Sequence, residues 1–332
     1  MSDLRHDPIN GQWVAIAKNR IQRPMEFVPM EQRRQQLLCP FCKGNEEQTP
    51  AAIALYDQDG LLEGDAKTWS ARVVPNKYPS FSQNGSEDQS RRTGPPGICN
   101  SNAGHGIQEL IIPSPRHVTS ISELTETELR LVFQAAQDRI RFLKSVDDVR
   151  HAMLFMNCRF AAGASLSHIH FQLIGSPVVS GHLRSRVERD QAHRQEHGCS
   201  LIQSLMDWEI EQSQRVVNLT DAFCVVCPFA SRCPFQARII PRNTGLCFLE
   251  LQTDAISELG FHCKAVVQSL ESHVQEPAYN LLLHLDPFDN ARGNWFLELL
   301  PRLTKGAGFE LGTDIWVNPV PPEAAAEQLR SS

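Results

Sequence analysis

The stretch Gly163-Ala-Ser-Leu-Ser-His168-Ile-His170-Phe-Gln172-Leu-Ile-Gly175 decides the fold and the chemistry that we expect of this chain. Polar and apolar residues alternate in its second part, which predicts a β-strand. In such a strand His168, His170 and Gln172 point to one face, and the apolar residues between them point to the other. The Gly/Ser-rich residues that precede the strand predict a turn.

Two imidazoles and an amide on one face suit the handling of an anion. One imidazole can attack a phosphorus atom, the second can be fixed by a metal or a hydrogen bond, and the amide can hold a phosphoryl oxygen. The alternative is two polar histidines at the exposed edge of a sheet, because short motifs such as H-x-H often occur without a function. Other features of the chain favour the chemical interpretation.

The composition is that of an ordinary globular protein and excludes several classes. The 332 residues are 41% hydrophobic and 21% charged, enough for two domains or one large core. A net charge of −6 argues against nucleic-acid binding. No apolar run approaches the roughly 18 residues that cross a bilayer, and the N-terminus has no signal-peptide pattern, so we expect no membrane association and a cytoplasmic location.

A pair of cysteines is the second informative motif. The spacing Cys39-Pro-Phe-Cys42 presents two thiolates to one tetrahedral metal ion, and such a site needs two further ligands. A redox pair is the alternative, but it would need a helix that starts at Cys39 in a βαβ context, which the local pattern does not predict. We therefore predict zinc here. Cys224-Val-Val-Cys227 lies in an apolar strand pattern and is interpreted as core thiols.

Periodicity predicts the elements around these motifs. We expect strands at residues 12–18, from Ala71 into a turn that ends at Pro79, at 108–112 and at 152–158, with a mobile loop at 82–106. A helix is predicted at 122–146 from one apolar stripe: Leu129, Val132, Phe133, Ala136, Ile140 and Leu143. Residues 178–214 are charged and helix-prone, and we interpret them as a connector with a solvated face.

The second half of the chain repeats the element order of the first: strand, helix, strand, loop, strand. Glu109-Leu-Ile-Ile-Pro aligns with Ala237-Arg-Ile-Ile-Pro, and the strand at 152–158 aligns with residues 279–285. The alignment places His168 opposite Asn294, His170 opposite Phe296, Gln172 opposite Glu298, and His117 opposite or next to Thr244. One copy keeps the polar set and the other has lost it, which predicts a duplicated fold with one active copy.

These motifs together resemble the galactose-1-phosphate uridylyltransferase family, within the histidine-triad superfamily. The resemblance spans nearly the whole chain. It rests on Arg20 and Arg23-Pro, Cys39-x-x-Cys42, Val74-Pro-Asn76-Lys77-Tyr-Pro, Glu109-Leu-Ile-Ile with His117, Gly163-Ala-Ser165-Leu-Ser-His168-x-His170-x-Gln172, and the tail from Leu300 to Pro319. Gln172 is informative, because hydrolase branches resemble H-x-H-x-H and the nucleotidyl-transferring branch carries Gln there.

The resemblance implies an α+β fold, a duplicated histidine-triad-like fold of antiparallel sheets with helices packed on them. It implies a catalytic domain at 1–195 and a repeat at 196–332 that has lost its histidines. His170 would be the nucleophile, and structural zinc, or alternatively iron, would bind Cys39, Cys42, His117 and His168. Asn157, Ser165 and Gln172 would contact phosphoryl groups, Arg20, Arg23 and Asn76 would hold nucleotide or phosphate, and Phe309, Glu310 and Asn318 would line the sugar site, often across a homodimer.

Several positions differ from the family pattern. A second metal site is common in the C-terminal copy, but its histidine positions here are Thr244, Asn294 and Phe296, so we predict one metal ion per chain. Ile169 replaces a proline between the two histidines, and Gln108 replaces a histidine. The nucleophile is unaffected by these changes.

The expected reaction is ping-pong transfer of a nucleoside monophosphate, UMP in the first instance, between a nucleotide sugar and a sugar 1-phosphate. His170 would carry the nucleotide, and a backbone carbonyl near 157–163 would accept its other N–H. Two alternatives stay open: an ADP-sugar phosphorylase with phosphate as the acceptor, and a non-catalytic nucleotide-sugar-binding protein.

Overall fold

The computed structural model describes residues 3–16, 38–62, 68–81, 105–290 and 293–331. The predictions for Arg20, for Arg23 and for most of the 82–106 loop lie outside these ranges. Within them, no helix is both long and apolar enough to cross a membrane.

The elements follow the predicted order. The strands are β1 (Asp3–His6), β2 (Trp13–Ile16), β3 (Ala54–Asp57), β4 (Gly60–Leu61), β5 (Ala71–Pro75), β6 (Ile107–Ile112), β7 (His151–Cys158), β8 (Phe171–Ser176), β9 (Val216–Leu219), β10 (Phe223–Val226), β11 (Ala237–Pro241), β12 (Tyr279–His284), β13 (Phe296–Pro301) and β14 (Trp316–Asn318). The α-helices are α1 (Glu126–Lys144), α2 (Gly181–His197), α3 (Leu201–Gln212), α4 (Thr253–His273), α5 (Gly308–Thr313) and α6 (Pro322–Arg330).

Both copies contribute to a single antiparallel sheet, whose order in the described residues is β4-β3-β5-β6-β8-β7-β12-β13-β11-β10-β9. The central pair is β7 and β12, one strand from each copy, so the order on one side of this pair mirrors the order on the other. This confirms the predicted α+β class and the duplicated fold. The division at residue 195 stays a prediction, since the sheet runs through both copies.

Strand pairing supports the sequence alignment of the copies residue by residue. Gln172 of β8 lies opposite Phe155 of β7, and Glu298 of β13 lies opposite Leu282 of β12. Phe155 and Leu282 are themselves equivalent in the alignment. The two polar side chains therefore occupy the same place in the two halves of the sheet.

Helices α1 and α4 cover one face of the sheet, and the site lies on the other. Helix α1 begins with a capping box, in which Thr125 accepts from the Glu128 backbone and Glu128 accepts from the Thr125 backbone. All six residues of its predicted stripe are buried. At Gly260 of α4 an added Cβ would lie 3.1 Å from the Leu129 Cβ, so glycine allows the two helices to approach closely.

The connector at 178–214 forms α2 and α3, and the prediction that its charges are simply solvated is wrong at Glu209 of α3, which is buried, and at two residues of α2. Arg186 and Asp190 are only 6% and 7% exposed. Arg186 donates to the Leu285 carbonyl at 2.7 Å and lies 3.7 Å from Asp286. Asp190 accepts from the Asn294 side chain at 2.7 Å. These charges face the second copy because each finds a polar partner there.

A small second sheet, in the order β1-β2-β14, joins the two ends of the described chain. Strands β2 and β14 pair in parallel, which adds a parallel pair to an otherwise antiparallel fold. The described part of the first predicted strand, Trp13–Ile16, therefore belongs to this small sheet. Cys224 and Cys227 are buried at strand β10, as predicted for core thiols.

Candidate active site and metal centre

Four predicted metal ligands converge on the face of the sheet opposite α1. The ligand atoms of Cys39, Cys42, His117 and His168 all lie within 4.8 Å of one another. The Cys39 Sγ and the Cys42 Sγ lie 3.5 and 3.6 Å from the His168 Nδ1. The Cys42 Sγ lies 3.4 Å from the His117 Nδ1.

These separations fit a tetrahedral ion. Zinc bonds of about 2.3 Å to sulfur and about 2.0–2.1 Å to nitrogen place tetrahedral S and N ligands roughly 3.5 Å apart. The backbone of the cysteine loop is also fixed, because Asn45 Nδ2 donates to the Cys39 carbonyl at 2.8 Å and Arg72 donates to the Pro40 carbonyl at 2.9 Å. The Cys/His set is therefore suited to one zinc ion, whose part would be structural.

His170 is buried beside this centre and is oriented by the backbone. Its Nδ1 lies 3.0 Å from the His168 carbonyl oxygen. This carbonyl can accept the Nδ1 proton, which makes Nε2 the nitrogen with a free lone pair. The prediction of a carbonyl partner at 157–163 is wrong. His170 directly precedes β8, where its ring reaches the carbonyl of His168, two residues earlier in the chain. Burial lowers the pKa of His170, so its ring stays neutral.

Phe41 connects the cysteine loop to the histidine. This residue stands between Cys39 and Cys42 and is 4% exposed. Its ring centroid lies 4.9 Å from that of His170 and 5.9 Å from that of His168. The loop that supplies two metal ligands thus also supplies one wall of the His170 pocket. Sequence reasoning missed this residue, although its position inside the C-x-x-C motif was a signal.

Gln172 lies on the same face and is held by a second glutamine. The Gln108 Nε2 donates to the Gln172 Oε1 at 3.2 Å. The Gln108 Oε1 in turn accepts from the backbone N–H of Ser80 at 2.8 Å. Because the amide oxygen of Gln172 faces Gln108, its NH2 group is on the other side of the amide.

Asn157 is held in a similar way from the second copy. Asn280 of β12 pairs with Asn157 of β7, and its Nδ2 donates to the Asn157 Oδ1 at 2.8 Å. The same Nδ2 donates to the Ala162 carbonyl at 2.8 Å. The Asn157 Nδ2 is directed to the loop before His168, where the Gly163 carbonyl is 3.5 Å away. Asn280 was not predicted, because nothing local marks it.

Other predicted site residues are placed more loosely. Ser165 is exposed on the loop before His168. Asn76 follows β5, and its Oδ1 accepts from the Tyr78 N–H at 2.9 Å. Asn76, Gln108, Phe81 and Gly106 line a cleft of about 340 Å³. A nucleotide role for this cleft stays a prediction.

The tail residues predicted for the sugar site lie on two elements: Phe309 and Glu310 on α5, and Asn318 on β14. Phe309 is 54% exposed on α5, where Glu310 accepts from the Ala307 N–H at 3.0 Å. Asn318 is fully buried, and its amide donates to the Ser231 carbonyl at 2.8 Å and accepts from the Val320 N–H at 3.0 Å. Asn318 therefore supports the chain locally. The sugar-site role of the tail stays a prediction.

The equivalent face of the second copy is filled by charged side chains. Glu298 is fully buried and accepts from Arg238 at 2.8 Å, from Gln236 at 2.8 Å and from His284 at 3.0 Å. Arg238 also donates to Asp7 at 2.8 Å. Arg238 holds the pKa of Glu298 well below its usual range despite the burial. Asn294, which aligns with His168, donates to Asp190 at 2.7 Å and accepts from Arg194 at 3.0 Å.

The chain thus combines a duplicated antiparallel fold with a Cys/His cluster that could hold a metal ion, beside an H-x-H-x-Q segment at the start of β8. The family model "Galactose-1-phosphate uridyl transferase, N-terminal domain" matches residues 1–180. The chain belongs to this family, as the sequence analysis predicted.

Two relatives and two solved structures extend the match. An ADP-glucose phosphorylase from Arabidopsis thaliana is 30% identical over 338 residues, which cover 99% of this chain and 92% of the relative. A galactose-1-phosphate uridylyltransferase from Thermotoga maritima is 25% identical over 344 residues, covering 100% and 99%. A structure of an Arabidopsis ADP-glucose phosphorylase with bound ADP-glucose superposes with a TM-score of 0.84 at 28% identity, covering 100% and 99%. A uridylyltransferase structure at 20% identity and TM-score 0.75 shares the fold.

Proposed function

We propose that this protein transfers a nucleoside monophosphate from a nucleotide sugar to a phosphate acceptor through a covalent nucleotidyl-His170 intermediate. The observation that carries the proposal is the state of the His170 ring. It is buried, its pKa is lowered, and its Nδ1 is held 3.0 Å from the His168 carbonyl. A neutral imidazole with one nitrogen hydrogen-bonded has its other nitrogen available for attack.

In the first half-reaction the His170 Nε2 attacks the α-phosphorus of the nucleotide sugar. A nitrogen–phosphorus bond forms, the bond to the bridging oxygen breaks, and the sugar 1-phosphate leaves with the bonding electron pair. The proton stays on Nδ1 and is hydrogen-bonded to the His168 carbonyl, which stabilises the positive charge that develops on the ring. The Asn157 and Gln172 NH2 groups donate to the equatorial oxygens of the transferring phosphoryl group.

In the second half-reaction a phosphate oxygen of the acceptor attacks the same phosphorus from the side that the sugar phosphate has left. The nitrogen–phosphorus bond breaks and returns neutral His170. One site thus serves both half-reactions, which gives ping-pong kinetics. Bound metal would contribute rigidity to His168 and to the cysteine loop.

The cleft beside Gln108 is the best candidate for the nucleoside. Its volume of about 340 Å³ falls within the range of about 300–1,000 Å³ that is common for small-ligand sites. The cleft runs from Gln108 to Arg139 and Phe142 of α1. Gln108 bonds Gln172, so a base bound at the Gln108 end would lie next to the phosphoryl donors. We place the base at this position, with Asn76 at its edge.

For the substrate pair we favour ADP-glucose as donor and inorganic phosphate as acceptor, giving ADP and glucose 1-phosphate. The support is the 30% identity and the 99% coverage shared with the Arabidopsis ADP-glucose phosphorylase. The second candidate is transfer of UMP from UDP-glucose to galactose 1-phosphate, supported by the 25% identity with the Thermotoga enzyme.

The test is a donor-and-acceptor assay on the purified, metal-loaded protein. ADP-glucose and UDP-glucose are each offered with inorganic phosphate or with galactose 1-phosphate, and products are separated by ion-exchange chromatography. We expect rapid release of ADP and glucose 1-phosphate from ADP-glucose with phosphate. UDP-galactose from UDP-glucose and galactose 1-phosphate would select the second candidate. No turnover in any combination would contradict the enzyme proposal and favour a binding role.

A further inference from the structure

The two site amides, Gln172 and Asn157, are each hydrogen-bonded to a second amide, which we call the outer amide: Gln108 for Gln172 and Asn280 for Asn157. A backbone group fixes the orientation of each outer amide. An amide side chain can be turned over, so that its donor and its acceptor exchange places. A backbone N–H can only donate and a backbone carbonyl can only accept. A hydrogen-bonded chain of amides that ends on a backbone group therefore has one allowed direction.

The first chain runs from Ser80 to Gln172. The Ser80 N–H donates at 2.8 Å to the Gln108 oxygen, which turns the Gln108 nitrogen toward Gln172. That nitrogen donates at 3.2 Å to the Gln172 oxygen. Gln172 must then present its NH2 group to the site. The opposite orientation would place two oxygens or two NH2 groups against each other at one of these contacts.

The second chain runs from Ala162 to Asn157. The Ala162 carbonyl accepts at 2.8 Å, so the atom of Asn280 that faces it must be the nitrogen. The same nitrogen donates at 2.8 Å to the Asn157 oxygen. The Asn157 NH2 group then has one N–H on the Gly163 carbonyl, at 3.5 Å, and one left for the site. Asn280 belongs to β12 of the second copy, which lacks the H-x-H pair. The second copy therefore fixes a side chain that we assign to phosphoryl binding in the first copy.

The second copy provides an independent check on the first chain. Gln236 is the equivalent of Gln108, and its oxygen accepts from the Arg232 N–H at 2.6 Å. Its nitrogen donates at 2.8 Å to Glu298, the equivalent of Gln172. Because an ionised carboxylate can only accept, the direction of this chain is certain. The duplicated contact in the first copy has the same direction.

We infer that Gln108 and Asn280 are positioning residues that orient Gln172 and Asn157 as N–H donors to the transferring phosphoryl group. This inference rests on the proposed function, since it assigns the two inner amides to phosphoryl oxygens. It predicts that reversing an outer amide is worse than deleting it. A deleted outer amide leaves the inner one free to turn, whereas a reversed one holds the oxygen of the inner amide against the phosphoryl group.

The experiment compares Gln108→Glu with Gln108→Met, each with Gln172 present and with Gln172→Met. The carboxylate of Gln108→Glu still accepts from Ser80 but cannot donate, so Gln172 must turn over. The measured quantity is the single-turnover rate of nucleotide transfer from ADP-glucose, or from UDP-glucose, to His170. Gln134→Glu adds the same charge on α1, on the opposite side of the sheet, and serves as the matched control.

We expect Gln108→Glu to slow transfer about 100-fold, the effect of losing one preorganised donor, and Gln108→Met to slow it less. The affinity for the nucleotide sugar should change less than the rate. In the Gln172→Met background the two Gln108 variants should transfer the nucleotide at the same rate. An equal Gln108→Glu loss in both backgrounds would mean that charge repulsion alone acts, and equal rates for Gln108→Glu and Gln108→Met beside Gln172 would also overturn the inference.

The wild-type protein separates this inference from the proposed function. If it takes no label from either nucleotide sugar, the proposed function fails and the inference fails with it. If it is labelled and Gln108→Glu is labelled at the same rate, only the inference fails. Should thermal melting show that Gln108→Glu does not fold, the second chain gives a parallel comparison of Asn280→Asp with Asn280→Ala, with Asn157 present and with Asn157→Leu. Asn280→Asp also loses the donor to the Ala162 carbonyl, so the part of its effect that disappears with Asn157→Leu is the part that tests the inference.

Discussion

The two copies of the fold use the same positions in opposite ways. In the first copy Gln172 accepts from Gln108 and keeps an NH2 group for a ligand. In the second copy Glu298 occupies the equivalent position and accepts from Gln236, Arg238 and His284. In our proposal the first copy binds an anion from outside, whereas the second contains its own anion, the buried Glu298 carboxylate.

The position of the proposed nucleophile also differs between the copies. His170 aligns with Phe296, which is fully buried with the His284 ring stacked on it at a centroid distance of 4.5 Å. The Arg238 guanidinium lies 5.0 Å from the Phe296 ring centroid. The second copy therefore has the Arg238 cation beside both a phenyl ring and a carboxylate. The copy without the proposed nucleophile is the one with internal charge pairing at these positions.

Gln172→Glu brings the carboxylate of the second copy into the first, and we expect the largest effect from it. The added charge would repel the phosphoryl group and remove an N–H donor, so turnover should fall by about 10³-fold or more. Turnover in the standard donor-and-acceptor assay measures this, with Gln134→Glu as the control. A fall of less than tenfold would contradict the assignment of Gln172 to the phosphoryl group.

Glu298→Gln brings the amide of the first copy into the second, and it should lower the free energy of unfolding. It leaves Arg238 and Asp7 in a buried network that has lost one negative charge, which typically costs about 3–5 kcal/mol of unfolding free energy. Urea unfolding measures the change, and Glu188→Gln on the exposed side of α2 is the control. A loss no larger than that of the control would show that the network of the second copy contributes nothing to the fold.

Phe41→Leu tests how the metal centre of the first copy supports its nucleophile. The smaller side chain removes the ring that packs on His170 while leaving all four metal ligands, so kcat should fall by about tenfold at an unchanged metal content. Steady-state kinetics and metal analysis by mass spectrometry are read together. Phe261→Leu, at a half-exposed phenylalanine of α4 outside the proposed nucleoside cleft, should have no such effect. Loss of metal from Phe41→Leu would show that Phe41 acts through the ion alone.

Acid should weaken the fold gradually, and a histidine from each copy contributes. Burial lowers the pKa of both His151 and His284 to about 4. The unfolded chain takes up these protons near pH 6.5 and the folded chain does so only near pH 4. Stability therefore falls as the pH drops between these values, by about 1.4 kcal/mol per pH unit for each histidine.

His151→Asn removes one of the two histidines that take up a proton on unfolding, so the free energy of unfolding should fall less steeply as the pH drops. Urea midpoints between pH 7 and pH 4.5 check the slope. Identical slopes for the variant and the wild type would contradict the assignment of His151 as a half-buried ring that stays neutral above about pH 4.

Much of this comparison could be read from the sequence, because it depends on local patterns. The alternation around His170 and the repeat of Ile-Ile-Pro gave the two copies and their alignment, and strand pairing agrees with it. The Cys39-x-x-Cys42 spacing marked half of the metal site. These features need only a strand period or a turn to be recognised.

The remainder depends on contacts between distant residues. Asn280 lies 123 positions from Asn157, and nothing near it in the sequence marks it as part of a site. Arg186 and Asp190 look like solvated helix charges until the second copy supplies Asp286 and Asn294 as partners. Side-chain networks between copies therefore escape a reading that relies on periodicity.

The most direct test of the account is the mass of the protein after brief incubation with ADP-glucose, and separately with UDP-glucose, without any acceptor. We predict that the wild type gains the mass of one nucleoside monophosphate on His170, that acid removes it, and that His170→Ala gains nothing and loses turnover. An adduct on another residue, or a His170→Ala variant that turns over at the wild-type rate, would contradict the account.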